Sequence, residues 1–301
     1  MRTYTYEDIL RNSERIHWRV EDVIGERLLD FGRRFLPESL ARVEPLAFLD
    51  EAGKRTLNQV RASTYLGLFG LIEEFILPFV LDHARPLLHG DDHRVRALLQ
   101  FAGEEAKHIH LFKRFAEEFA RGFGSPCGLI GPPAAVAREV LRHHPLAIAL
   151  TILQIEWMTQ RHYTDSVRGE GALDPQFCSL LRHHWMEEAR HAKLDTLMVE
   201  ALAQGCGAAE LAEAVDEYLE IGSFLDAGLA QQLDLDLAAF EQKTGRTLLP
   251  EQRADFRRVQ QGANRWTYLG SGMTHPEFLI TLERLGPQLR SRVETMAQAF
   301  C

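Results

Sequence analysis

Residues 65–82, YLGLFGLIEEFILPFVLD, set two glutamates, Glu73 and Glu74, inside a run that is apolar on nearly every side. At 3.6 residues per turn such a helix has no polar face to offer water, so it belongs in the middle of a bundle. Burying adjacent carboxylates there costs on the order of several kcal/mol unless they are paired or bound to something. The partners must come from neighbouring helices. The rest of the chain can be searched for them.

The segments around this run read as helices throughout. Residues 6–35 carry Ile9, Ile16, Val20, Val23, Ile24 and Leu28 at helical spacing, which predicts an amphipathic covering helix. A long helix is expected over 54–84, with a kink at Pro78. Gly67 and Gly70 in it imply the close approach of another helix. A second helix is expected over 91–121, capped by Asp91 or Asp92. A third should run over 134–167, bent at Pro145, and a fourth over 175–204, with Asp174 as N-cap and Pro175 at its first position. Further helices are expected over 208–240, 250–268 and 276–299. No segment alternates with the period of two of an exposed strand, so the predicted class is all-α. The expectation is one all-helical domain over 1–301, with a four-helix core at about 55–204 and flanking helices in 1–50 and 208–301.

The partners appear as a repeated pattern. The second helix carries Glu105-x-x-His108 and the fourth carries Glu188-x-x-His191, each preceded by another glutamate, Glu104 and Glu187. The i, i+3 spacing puts carboxylate and imidazole on one face. The third helix has a lone Glu156 within Ile152, Leu153, Ile155, Trp157 and Met158. Each helix pair therefore reads lone Glu, then Glu-x-x-His, the arrangement that holds two metal ions in ferritin-like bundles. About four carboxylates balance two divalent cations, and imidazole completes a set suited to iron. Solvated charges and core histidines are the bland alternative, but they leave four glutamates in apolar runs unexplained. Of the adjacent pair, Glu74 is preferred over Glu73, because residues 71–75 and 153–157 align as L-x-x-E-aromatic. Glu104 and Glu187 are expected to orient the imidazoles across the bundle, with Arg190 helping to balance charge.

Residues 180–195, LLRHHWMEEARHAKLD, add His184, one turn before Glu188 and on the same face. His183 points about 100° away. The set Glu74, Glu105, His108, Glu156, His184, Glu188 and His191 resembles the diiron carboxylate oxygenases of the ferritin-like class. The extra His184 makes it similar to the p-aminobenzoate N-oxygenase family in particular. The resemblance covers roughly residues 55–204. It implies two iron ions, with manganese as the substitute, held by those seven residues. It also implies O2 as co-substrate, an external electron donor, a homodimer, and oxidation of a small aryl amine to hydroxylamine, nitroso and nitro products. Another diiron hydroxylase, desaturase or oxidative decarboxylase shares the same site. Iron or manganese storage is the reading from a different class, but the long segments flanking the bundle suit a closed pocket better than a storage shell.

Composition enters as exclusion. A net charge of −9 argues against general nucleic-acid binding. The longest apolar region is interrupted by Glu73 and Glu74, and the N-terminal residues lack the apolar run of a signal peptide, so no membrane association and a cytoplasmic location are expected. The four cysteines, Cys127, Cys178, Cys206 and Cys301, are scattered and suggest neither a disulfide framework nor a zinc ribbon.

Overall fold

The computed structural model describes residues 4–301; the first three residues of the expected 1–50 flanking segment lie outside them. Among the described residues, regular structure is helical throughout, apart from one isolated bridge between Arg34 and Leu173. Four long helices form the core: Glu51–Ala84, Asp92–Phe123, Pro145–Arg161 and Pro175–Ala203. They are called here the first to fourth bundle helices. The first packs along the second, the third along the fourth, and the second meets the fourth.

The boundaries follow local chemistry. Asp50 caps the first helix by accepting from Gly53 N, and Asp91 caps the second by accepting from His93 N and Arg94 N. The second helix ends at Gly124, whose φ of 66° is left-handed. Asp174 accepts from Phe177 N, and Pro175 opens the fourth helix. Pro78 lies within the first helix without ending it.

Four expectations are corrected. Residues 6–35 do not form one helix. They hold two short ones, Tyr6–Ser13 and Val20–Val23, and Gly25 at φ 49° turns the chain after the second. Ile9, Val20, Val23 and Ile24 are buried as expected, but Leu28 is 73% exposed. The expected third helix is split into Pro133–Leu141 and the bundle helix starting at Pro145, which closes in a π-helical turn, His162–Val167. The last helix is likewise divided at Gly286, into Pro276–Leu285 and Pro287–Ala297. In both cases proline removes the N–H that a continuous helix needs. The close neighbour at Gly67 is the Leu129 side chain from a loop, not a helix; a Cβ there would lie 2.8 Å from Leu129 Cδ1.

The helix Ala208–Thr244 packs against both the first and the third bundle helices, and Pro250–Arg265 packs against it in turn. A buried polar knot fastens this layer. Arg61 faces Asp236 at 3.4 Å and donates to Asn264, while Thr64 donates to Asp236 at 2.6 Å. By length and composition, Glu51–Leu87 could cross a membrane, contrary to expectation, but 67% of its most apolar window is buried inside the protein. That covering makes it the core helix of the bundle.

Candidate dimetal site

The four bundle helices bring seven side chains to one level of the core. Glu73 comes from the first, Glu105 and His108 from the second, Glu156 from the third, and His184, Glu188 and His191 from the fourth. All are buried, none more than 2% exposed. Glu188 Oε1 is central: it lies 3.1 Å from His108 Nδ1, 3.2 Å from His191 Nδ1 and 3.3 Å from His184 Nε2. Glu105 Oε1 is 2.8 Å from His191 Nδ1, and Glu73 Oε1 is 3.1 Å from His184 Nε2.

The sequence preference for Glu74 is therefore corrected. Glu73 turns inward to His184, whereas the Glu74 side chain is 34% exposed and pairs with Lys113 at 3.0 Å. The alignment on L-x-x-E-aromatic misled because adjacent helical residues point 100° apart. Spacing from an aromatic neighbour cannot replace the packing of the helix itself. The other six sequence-predicted residues all lie in the cluster.

Each of two imidazoles is clamped from behind by a carboxylate of the opposite helix. His108 Nε2 donates to Glu187 Oε2 at 2.9 Å, and His191 Nε2 donates to Glu104 Oε2 at 2.8 Å. These bonds place the proton on Nε2 and leave Nδ1 to face the cluster. Lys107 Nζ reaches Glu187 Oε1 at 2.5 Å, and Arg190 donates to Glu104 Oε1 at 2.9 Å, so each clamping carboxylate has its own cation. Burial works against ionisation of Glu104, but the His191 hydrogen bond and the Arg190 charge outweigh it and hold its pKa at about 2. His183, as expected, turns elsewhere, bonding Ser179 O at 2.7 Å and meeting the edge of Trp18.

The inward atoms approach one another at ion-pair distance but make no aligned hydrogen bond. His108 Nδ1, His191 Nδ1, both Glu105 oxygens, Glu188 Oε1 and Glu156 Oε2 are buried without a hydrogen bond. Buried polar atoms in native proteins are rarely left so, and never cheaply. Their titration shows the same need. Burial, followed by the charge of Glu105, drives the pKa of Glu73 well above the ordinary carboxylate value; burial and Glu188 do the same to Glu156. Burial opposes the imidazolium forms of His108 and His191, yet the surrounding carboxylates raise both well above the ordinary value. These shifts express buried charge that bound cations would balance. Neutral nitrogens and carboxylates in this number are the donor set of a non-haem dimetal centre, and the buried groups of Glu105, His108, Glu188, His191, Glu73 and His184 have the separations such ions need.

Some neighbours were not singled out from sequence. Asp195 is fully buried with neither oxygen partnered, and lies in the field of His191, Glu105 and Glu188. It extends the 184/188/191 stripe by one turn, so the spacing that revealed His184 also marks it. Trp18 stacks on His108 with centroids 6.1 Å apart, and Lys107 lies 3.8 Å over the Trp18 ring. No local pattern signals that contact, because it joins distant parts of the chain.

The p-aminobenzoate N-oxygenase AurF family profile matches residues 2–225. The chain belongs to that family. The match extends on both sides of the four-helix core at about 55–204. Family and site together make the protein a dimetal oxidoreductase of the diiron class. Among solved structures, an R2-like ligand-binding oxidase with anaerobically reconstituted Mn/Fe cofactor aligns at 14% identity with a TM-score of 0.48, covering 87% of this chain and 92% of that one. An aerobically reconstituted form aligns at 14% identity and a TM-score of 0.46, covering 88% and 92%. No curated protein sequence matches the chain.

Proposed function

We propose that this protein is an N-oxygenase that oxidises a small aryl amine with O2, and that Glu73, Glu105, His108, Glu156, His184, Glu188 and His191 hold its two iron ions. The observation that carries this reading is the ring of buried, unpartnered carboxylate oxygens and Nδ1 atoms, built from all four helices, in a chain of this family. When bound, the metal pair would supply electrons to O2 and deliver oxygen to the amine nitrogen.

The chain's residues have separate tasks in this scheme. Glu104 and Glu187 fix the tautomer and tilt of His191 and His108. His191 and Arg190 hold the Glu104 carboxyl well below its ordinary pKa, and Lys107 donates to the Glu187 oxygen that His108 leaves free. Phe69, Phe101 and Phe112 pack on His184 and His191 and exclude water from that side. Inserting one oxygen atom into an N–H bond and reducing the other to water consumes two electrons and two protons. An external electron donor is therefore part of the proposal, as are a homodimeric assembly and a cytoplasmic location.

The test is turnover of aniline under 18O2 by iron-loaded, chemically reduced protein, with mass-spectrometric analysis of products. Labelled phenylhydroxylamine, nitroso- or nitrobenzene is expected. Labelled aminophenol in their place, or no amine-dependent oxygen uptake, would overturn N-oxygenation while leaving the metal site standing.

A further inference from the structure

A cavity of about 50 Å³ lies between the first bundle helix, the third, the 208–244 helix and the π-helical turn Trp266–Gly270. Its walls include Leu68, Leu71, Ile155, Leu225, Leu229 and Tyr268, and no charged side chain lines it. Two lining residues, Ile72 and Ile155, directly precede Glu73 and Glu156 in the chain. Tyr268 packs on Phe69 with centroids 6.3 Å apart, and Phe69 meets the ring of His184 edge to face at 5.7 Å. One aromatic layer thus separates the cavity from the metal-ligand cluster.

Part of the wall comes from outside the shared family region. Leu229, Tyr268 and Leu269 lie beyond residue 225, where the family match ends. The C-terminal helices therefore help shape this cavity with side chains of this chain's own. The Tyr268 hydroxyl is buried and has no partner. Arg61 is a buried cation on the first helix, but its charge is matched by Asp236, and Asn264 accepts from the same nitrogen. A carboxylate placed among these aliphatic walls would have no counter-ion, which is a heavy desolvation penalty.

We propose that this cavity receives the body of the substrate, with the Phe69 ring turning aside so that the amine reaches the ligand cluster, and that the substrate is an uncharged arene rather than an aminobenzoate. The inference rests on the N-oxygenase reading only for the presence of an amine; the choice of a neutral ring rests on the wall. Cavities of about 150 Å³ lined by such residues admit benzene, so the Leu and Ile side chains must shift rotamer to seat a ring.

The probes are p-toluidine and p-aminobenzoate, which share the amine and differ in a methyl against a carboxylate. Calorimetric titration of each into iron-loaded protein under anaerobic conditions gives Kd without turnover. The expected result is p-toluidine binding on the order of 100-fold more tightly. Leu225 is partly exposed, so the fold should accept changes there. Leu225→Trp should cut p-toluidine affinity at least tenfold, and Leu225→Arg should narrow or invert the preference. Circular dichroism and iron content serve as checks that both variants fold. Tight binding of p-aminobenzoate by the unaltered protein, no binding of either probe, or indifference of both Kd values to Leu225→Trp would overturn the inference. Selective binding of p-toluidine without oxygenation at nitrogen would instead refute only the proposed reaction.

Discussion

Replacing Glu187 by Gln isolates the clamp on His108. Glu187 is fully buried, accepts from His108 Nε2 at 2.9 Å with one oxygen and from Lys107 Nζ at 2.5 Å with the other. An amide of the same shape has one acceptor and one donor edge, so it cannot serve both. Lys107 has a side chain 23% exposed and can swing to water, whereas His108 cannot. The amide oxygen should therefore stay with His108, and what is lost is the negative charge that makes the imidazole a stronger base. Loss of such a supporting group typically weakens metal affinity by about 10- to 100-fold, or about 1.4–2.8 kcal/mol. The assay is Fe(II) competition against a chelator of known affinity, with circular dichroism to confirm the fold. An affinity within threefold of the unaltered protein would refute the claim that Glu187 acts on the metals through His108.

Three further perturbations test neighbouring parts of the account. Glu73→Gln should remove most binding of at least one Fe(II), while Glu74→Gln, next door but paired with Lys113 near the surface, should leave stoichiometry unchanged in the same titration. Asp236→Ala leaves Arg61 buried without its counter-charge and should cost about 3–5 kcal/mol in urea unfolding of the metal-free protein. The pH dependence has a definite sign. The folded-state pKa values of His108, His191, Glu73 and Glu156 are all raised, so their contribution to stability is present below their unfolded values and is lost as pH rises through the folded ones. Metal-free protein should accordingly lose the contribution of Glu73 and Glu156 as pH rises above about 4.3 and that of His108 and His191 above about pH 6.5, metal-loaded protein should not, and Fe(II) binding should release protons, measurable as a buffer-dependent binding enthalpy.

The bundle and six of the seven cluster residues were legible because helical spacing is a local property. Glu105 with His108, and Glu188 with His191 and His184, share helix faces whatever surrounds them. The helix starts at Asp91 and Asp174 were legible for the same reason. Glu73 was misread because choosing between adjacent residues requires the rotation of the helix within the bundle, which depends on Phe69, Phe112 and their packing on His184. The N-terminal segment was misread as one helix because its apolar spacing reflects contacts to several partners: the chain leaves the helix at Glu14, resumes it over Val20–Val23 and turns away at Gly25. The covering of the bundle by residues 208–244, and the cavity it helps to enclose, depend on long-range packing that no local period encodes.

The central claim is that the seven-residue cluster binds a pair of metal ions. Anaerobic Fe(II) titration of metal-free protein, with bound iron measured after gel filtration, tests it most directly. The account predicts saturation at two irons per chain, together with a rise in unfolding temperature. Saturation at one iron or fewer, or binding of two irons that survives replacement of both Glu105 and Glu188 by Ala, would contradict it.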